Sequence, residues 1–203
     1  MSVRAKARYI FLTLLFYFIA YFSIQSFITV NEYNLSTEID KLIPFVPQFV
    51  WVYHTIVPIL LFTAIVLIQR KDVFLSMITA LIVAGLTMSV FYVVFPSFYP
   101  REPIGDYSLS AALVEMTRMV DGPSNTFPSG HVTFSWILVF FVSLSEQARK
   151  FRWAYLLWAV LITTSTLVLK QHFIVDAISG ILLASVCYYF AKNTVFERLQ
   201  HAN

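Results

Sequence analysis

Residues 73–96 read VFLSMITALIVAGLTMSVFYVVFP, a run without one charged side chain. At about 1.5 Å per residue its helix is roughly 36 Å long, enough to cross a hydrocarbon core of about 30 Å. In lipid only a helix or a closed barrel satisfies the backbone. The unbroken apolar run lacks the alternation of barrel strands. Working outward, similar runs cover Tyr9–Thr29, Phe49–Gln69 (with Pro58 as a kink), Val132–Ser145, Trp153–Leu169 and Phe173–Ala191. The expected fold is all-α, an integral membrane bundle of six transmembrane helices forming one domain over residues 1–203. Composition agrees. The 203 residues are 59% hydrophobic and 12% charged, with mean hydropathy +0.74. A soluble domain carries about 25% charged residues, so too few polar side chains remain here to coat a water-facing surface. A soluble globule, a disordered tail and a nucleic-acid-binding module are excluded.

Arg4, Lys6 and Arg8 precede the first run. That run is too long for a signal-peptide core and no small-x-small site follows, so it reads as a retained span. Sorting the basic residues gives orientation. Ten of the 14 (Arg4, Lys6, Arg8, Arg70, Lys71, Arg149, Lys150, Arg152, Lys192 and Arg198) fall on the side of the termini. Lys41, Arg101, Arg118 and Lys170 fall on the other. The bias predicts both termini in the cytoplasm and the long connections Val30–Gln48 and Ser97–Pro128 outside. Within the second, Ser108–Val120 places Leu109, Leu113, Met116 and Val120 on one helical face. This predicts a short helix, either interfacial or packed on the bundle. Cys187, the only cysteine, excludes an intrachain disulfide and a cysteine zinc site.

Few ionisable residues remain. Asp176 lies inside the last apolar run, where a charge costs roughly 2.5–3.5 kcal/mol on insertion scales and is functional by default. His172 is four residues earlier, the spacing of one helix face. Asp176 could fix the imidazole tautomer and leave the other nitrogen as nucleophile or base. A structural His–Asp pair is the plainer alternative. Asn125-Thr126-Phe127-Pro128-Ser129-Gly130-His131 precedes the fourth span. Its helix start offers N–H groups to an anion, Gly130 permits close approach, and His131 supplies a second imidazole. An ordinary helix cap is the alternative there. Arg101, after the third span, carries a forked donor suited to phosphate. Together with Lys170 these clusters fall at one depth, the kit for phosphoryl transfer. His54 reads as interfacial and His201 as part of the tail.

The pattern resembles the type-2 phosphatidic acid phosphatase superfamily. Pro128-Ser129-Gly130-His131 matches its second motif in full, and His172-x-x-x-Asp176 matches the end of its third. The first motif is only partly present. Arg101 matches its arginine, but Val94 stands at the lysine position and Glu102 separates Arg101 from Pro103. The third motif opens Ser165-Thr166 where Ser-Arg is usual. These departures, with Ile43-Pro44-Phe45-Val46-Pro47, are similar to a branch containing inositol phosphorylceramide synthases and bacterial relatives. The resemblance implies that His172 attacks phosphorus to form a phosphohistidine, Asp176 orients it, and His131 protonates the leaving oxygen. It implies that Arg101, Ser129 and Gly130 hold the phosphoryl oxygens. Lys170, which matches no motif position, is expected to join them and replace part of the missing positive charge, with Asn125 in support. No cofactor and no metal are expected, and the partners are a lipid phosphate substrate and membrane lipids. The leading expectation is a metal-independent lipid phosphatase in a bacterial inner membrane, its site on the periplasmic face. Phosphatidate, phosphatidylglycerol phosphate, isoprenoid pyrophosphates and lipid A phosphates are candidate substrates. A lipid phosphotransferase with an alcohol acceptor is the alternative. A scaffold or transporter fits less well, because transporter sites lie at the bilayer midplane.

Overall fold

The computed structural model of the chain describes residues 1–28, 32–105 and 108–201. The end of the expected first span and the start of the first outer loop (29–31), and residues 106, 107, 202 and 203, lie outside that description. The chain is mostly helical. Helix α1 runs Val3–Phe27 and α2 Glu38–Leu42. The second apolar run is built from a 3-10 turn, α3 (Val50–Tyr53), α4 (Ile56–Phe62) and a π segment over Thr63–Leu67. Its α-helix is interrupted at His54 and Thr55. Pro58 lacks an N–H, and its ring crowds the carbonyl four residues back, which belongs to His54. The expected kink therefore falls one turn before the proline. Then come α5 (Lys71–Val94), α6 (Leu109–Val120), α7 (Gly130–Leu144), α8 (Arg152–Val168), α9 (Ile174–Ala191) and α10 (Glu197–His201). Two short parallel strands, β1 (Tyr33–Asn34) and β2 (Ser97–Phe98), join the two outer loops.

Among the described residues, five helical stretches are long and apolar enough to cross a membrane: Val3–Phe27, Pro47–Leu67, Lys71–Val94, Arg149–Val168 and Ile174–Gln200. The remaining expected span corresponds to α7, a shorter apolar helix of 15 residues. Helix α7 is central, packed by α5, α8 and α9. Its Ile137, Leu138, Phe141 and Val142 are fully buried. The outward surfaces are apolar too, with Leu86, Val90, Leu157, Leu182 and Val186 all exposed. A surface of that kind suits lipid. Sparse polar contacts join the helices: Thr63 Oγ1 to Tyr155 Oη (2.6 Å), Trp158 Nε1 to Thr55 Oγ1 (2.8 Å) and Trp136 Nε1 to Thr163 Oγ1 (3.2 Å). Such bonds contribute about 0.6 kcal/mol each on average.

Two expectations change. Lys6 is a buried cation, not only an orientation signal. Its Nζ donates to Ile68 O (2.6 Å), Ile65 O (3.4 Å) and Gln69 Oε1 (3.1 Å). It thereby neutralises the carbonyl end of the second span. Helix α6 packs through Ala111 and Val114, the latter clustering with Val50, Tyr53 and Leu169, whereas Leu109, Met116 and Val120 face outward. Small and β-branched residues let the helix approach the bundle closely, and the larger side chains remain free.

Candidate active site

The motif loop 125–129 is held from three sides. Asn125 takes a left-handed conformation (φ 58°), which asparagine tolerates well. Its Nδ2 donates to Tyr21 O (3.2 Å) on α1. Ser97 Oγ accepts from Thr126 Oγ1 and from the Phe127 N–H, both at 2.9 Å. Tyr92 Oη of α5 donates to Pro128 O (3.1 Å), and the Phe127–Pro128 peptide is cis. Ser129 caps α7 and donates its N–H to Asp176 O (3.1 Å). The Ser129 Oγ is buried with no protein partner. With the first N–H groups of α7, which have no carbonyl four residues back, it forms a donor-rich cup. A Cβ at Gly130 would stand 2.6 Å from Tyr17 Oη, so any larger residue there must displace the Tyr17 side chain.

His172 and Asp176 are brought together, but not as neighbours on one helix face. Helix α8 ends in a reversal at Lys170 (φ 57°), with Gln171 N–H bonded to Thr166 O (3.0 Å) and Lys170 N–H to Leu167 O (3.1 Å). His172 lies in the connection, and α9 starts at Ile174. The His172 Nδ1 is 2.9 Å from Thr126 O and 3.5 Å from Asp176 Oδ2. A carbonyl only accepts, so Nδ1 carries the proton and Nε2 presents its lone pair. The main tautomer-fixing partner is thus Thr126 O, from the other motif, with the Asp176 carboxylate behind it. Asp176 is fully buried and accepts the Phe173 N–H at Oδ2 (2.9 Å).

His131 and His172 line one cavity of about 610 Å³, together with His54, Asp121, Asn125 and Gly130. Tyr53 stacks on the His131 ring (centroids 3.9 Å apart, 24° between planes). His54, expected at the interface, bonds Thr117 Oγ1 through Nε2 (2.9 Å) on the same wall. The lining contributed by α1, α4 and α6 is largely apolar, with Phe18, Phe22, Val57 and Met116.

Arg101 and Lys170 are not gathered into this cavity. Arg101 Nη1 donates to Gln171 Oε1 (2.6 Å) and Lys170 O (3.3 Å), and Nη2 to Gly122 O (3.1 Å) and Asp121 O (3.4 Å). Both Nη atoms are spent on the protein, and only the buried Nε has no protein partner. Lys170 Nζ donates to Asp40 O (3.0 Å) and lines a different cavity. Val94, at the position of the missing motif lysine, is 74% exposed on the outer surface of α5.

Asp121 is the main residue that the motif reading missed. It follows α6, accepts a short hydrogen bond from Tyr21 Oη, and lies 3.5 Å from Tyr53 Oη. Its only sequence signal is a turn, Asp121-Gly122-Pro123, with no spacing relation to either histidine.

Two known proteins resemble this chain. One 70-residue stretch is 33% identical to an uncharacterized protein of Methanocaldococcus jannaschii, over 34% of this chain and only 28% of that protein. The crystal structure of Aquifex aeolicus LpxE superposes with a TM-score of 0.52 at 19% identity, over 78% of this chain and 88% of that one. That likeness is one of fold. The profile of the PAP2 superfamily matches residues 40–190, a range that holds every candidate site residue. The chain belongs to the PAP2 superfamily.

Proposed function

We propose that this protein is a membrane lipid phosphatase acting through a phosphohistidine on His172. The carrying observation is the 2.9 Å contact of His172 Nδ1 with Thr126 O, which leaves Nε2 unprotonated in a cavity shared with His131. Superfamily membership supports the reaction class. In the first step Nε2 attacks phosphorus, the bond to the lipid oxygen breaks, and His131 gives that oxygen a proton. In the second, His131 takes a proton from water, the water oxygen attacks phosphorus, and the N–P bond breaks to release phosphate. Asp176 stabilises the positive imidazole that forms in between. Ser129 Oγ and the Gly130 N–H hold the phosphoryl oxygens. Arg101 contributes by fixing the wall behind His172, and Asn125 by fixing the motif loop. The apolar lining from α1, α4 and α6 accommodates the lipid tails.

A lipid phosphotransferase is the second reading, favoured by one observation. Among the described residues the histidine cavity is lined by a carboxylate, Asp121, and by no lysine or arginine. A phosphomonoester dianion gains little there, whereas a phosphodiester carries only one negative charge. In this reading an alcohol replaces water in the second step.

In the membrane, α7 makes the sixth span, both termini lie in the cytoplasm, and the site opens on the outer, periplasmic face of a bacterial inner membrane. The exposed Leu109, Met116, Met119 and Val120 of α6 suit the bilayer boundary. The test is a panel of lipid phosphomonoesters, pyrophosphates and diesters, each with and without an alcohol acceptor. Phosphate release without acceptor is the expected result. Headgroup transfer with no phosphate release would replace the phosphatase by the transferase, and no turnover in any arm would remove both.

A further inference from the structure

Behind the wall that carries His172 lies a second cavity of about 530 Å³. Its lining comes from the first outer loop, from residues 99–105, from Arg118 of α6, and from Lys170 and Phe173. The two cavities share the short segment after α8: Lys170 and Phe173 face this one and His172 faces the other. Arg101 braces the partition by bonding both Gln171 and the Asp121–Gly122 carbonyls.

The charges in this second cavity are unevenly engaged. The acidic Asp40 is fully used, since Oδ1 accepts the Ile174 N–H (2.8 Å) and Oδ2 accepts the Thr37 N–H (2.8 Å) and hydroxyl (2.6 Å). Lys41 pairs with Glu38 (2.6 Å). Glu102 lines the cavity but is exposed. Lys170 spends one of three ammonium donors, on Asp40 O. The side chain of Arg118 is 91% buried, and it spends Nη1 on Glu102 O (2.9 Å) with Glu115 at 3.9 Å. Its buried Nε has no protein partner. A buried guanidinium with an idle donor is costly unless something else completes it. Tyr99, stacked on Phe173 (4.3 Å), adds a hydroxyl-bearing wall.

We infer that this cavity is a second oxyanion site, binding a phosphate-bearing polar group through Arg118 and Lys170. The inference deepens the proposed function, on which its link to catalysis rests. The cavity would hold the distal polar part of a headgroup, or an incoming or departing polar product, a few residues from the reacting nitrogen.

Titration of the detergent-solubilised full chain with inorganic phosphate, followed by ³¹P line broadening, tests this without any turnover. The His131→Asn/His172→Asn variant is expected to keep one phosphate site. In Arg118→Gln/Lys170→Gly that site weakens at least about tenfold, the loss expected for charge-assisted bonds. Glycine at 170 preserves the left-handed reversal, and Arg118→Gln alone provides a second variant if the double substitution fails to fold. Unchanged binding in folded Arg118→Gln, or a single site that vanishes with the histidines, would overturn the inference. A second arm uses nanodiscs with and without a lipid carrying an additional headgroup phosphate. Competition with inorganic phosphate only in the lipid-loaded discs identifies a lipid headgroup as the ligand. Its absence, with phosphate still bound, identifies the free anion. Phosphate binding without turnover of any lipid would leave the site standing and remove the phosphatase and transferase readings.

Discussion

Gly180→Ala probes the close approach of the two helices that carry the motifs. A Cβ at Gly180 would stand 2.9 Å from Ser129 O and 3.1 Å from Val132 Cβ. The first of these is backbone and cannot swing aside. Comfortable contacts need about 3.5–4.0 Å, so α9 must move from α7 by about 0.5–1 Å. Overpacking of this kind costs about 1–3 kcal/mol, or roughly 2–12 °C in Tm for a chain of this size. The displacement would also open the Ser129 N–H to Asp176 O bond (3.1 Å) and separate the Ser129 cup from the His172 side of the site. Since about 1 Å of misplacement can cost about 100-fold in rate, turnover should fall by roughly 10- to 100-fold. The assay pairs thermal unfolding in detergent with lipid phosphate hydrolysis. Gly85→Ala is the control: its nearest contact would be an ordinary 3.5 Å to Tyr17 Cδ2, and it should gain about 0.5–1 kcal/mol of helix stability. A Gly180→Ala protein with native Tm and native turnover would refute the idea that the motifs are held in register by backbone proximity.

His172→Ala and His131→Ala should each lower turnover by at least about 100-fold, and near-normal activity in either would take that residue out of the mechanism. Lys6→Met keeps the side-chain volume but leaves the Ile68 and Ile65 carbonyls short of a donor. It should destabilise by roughly 1–3 kcal/mol in thermal unfolding without changing KM. The Tyr99 hydroxyl is pushed up to about 12 by burial and by the nearby Asp40 and Glu102 charges, which outweigh Arg101 and Arg118. The folded state therefore holds this proton more tightly, so its stabilising effect is complete below about pH 10 and lost as pH rises toward 12. Stability measured across that interval should fall less steeply in Tyr99→Phe than in the parent.

The helices were legible because apolar runs need no periodicity to be recognised, and Pro58 announced a break in the second. The two histidine motifs were legible as strings. Their joining was not. The expected helical spacing of His172 and Asp176 failed because Lys170 takes a left-handed conformation, for which a lysine gives no warning. The role of Thr126 was invisible because the group that acts is its carbonyl. Tyr17 and Tyr21 sit in an apolar run with no motif around them, yet both line the histidine cavity. Arg101 shows the opposite limit. Its motif position suggested a substrate clamp, but what a guanidinium binds depends on which carbonyls surround it, and those come from residues 20 to 70 positions away.

That guanidinium ties together residue 101, the turn at Asp121–Gly122 and the reversal at Lys170–Gln171. Each segment alone is a surface loop of the sort that opens locally at little cost. Linked through one planar cation, they should exchange their amide protons as a single cooperative unit. The outer cap would then melt as one piece, well before the buried helices, and its melting would be read as an early loss of activity without loss of helical signal.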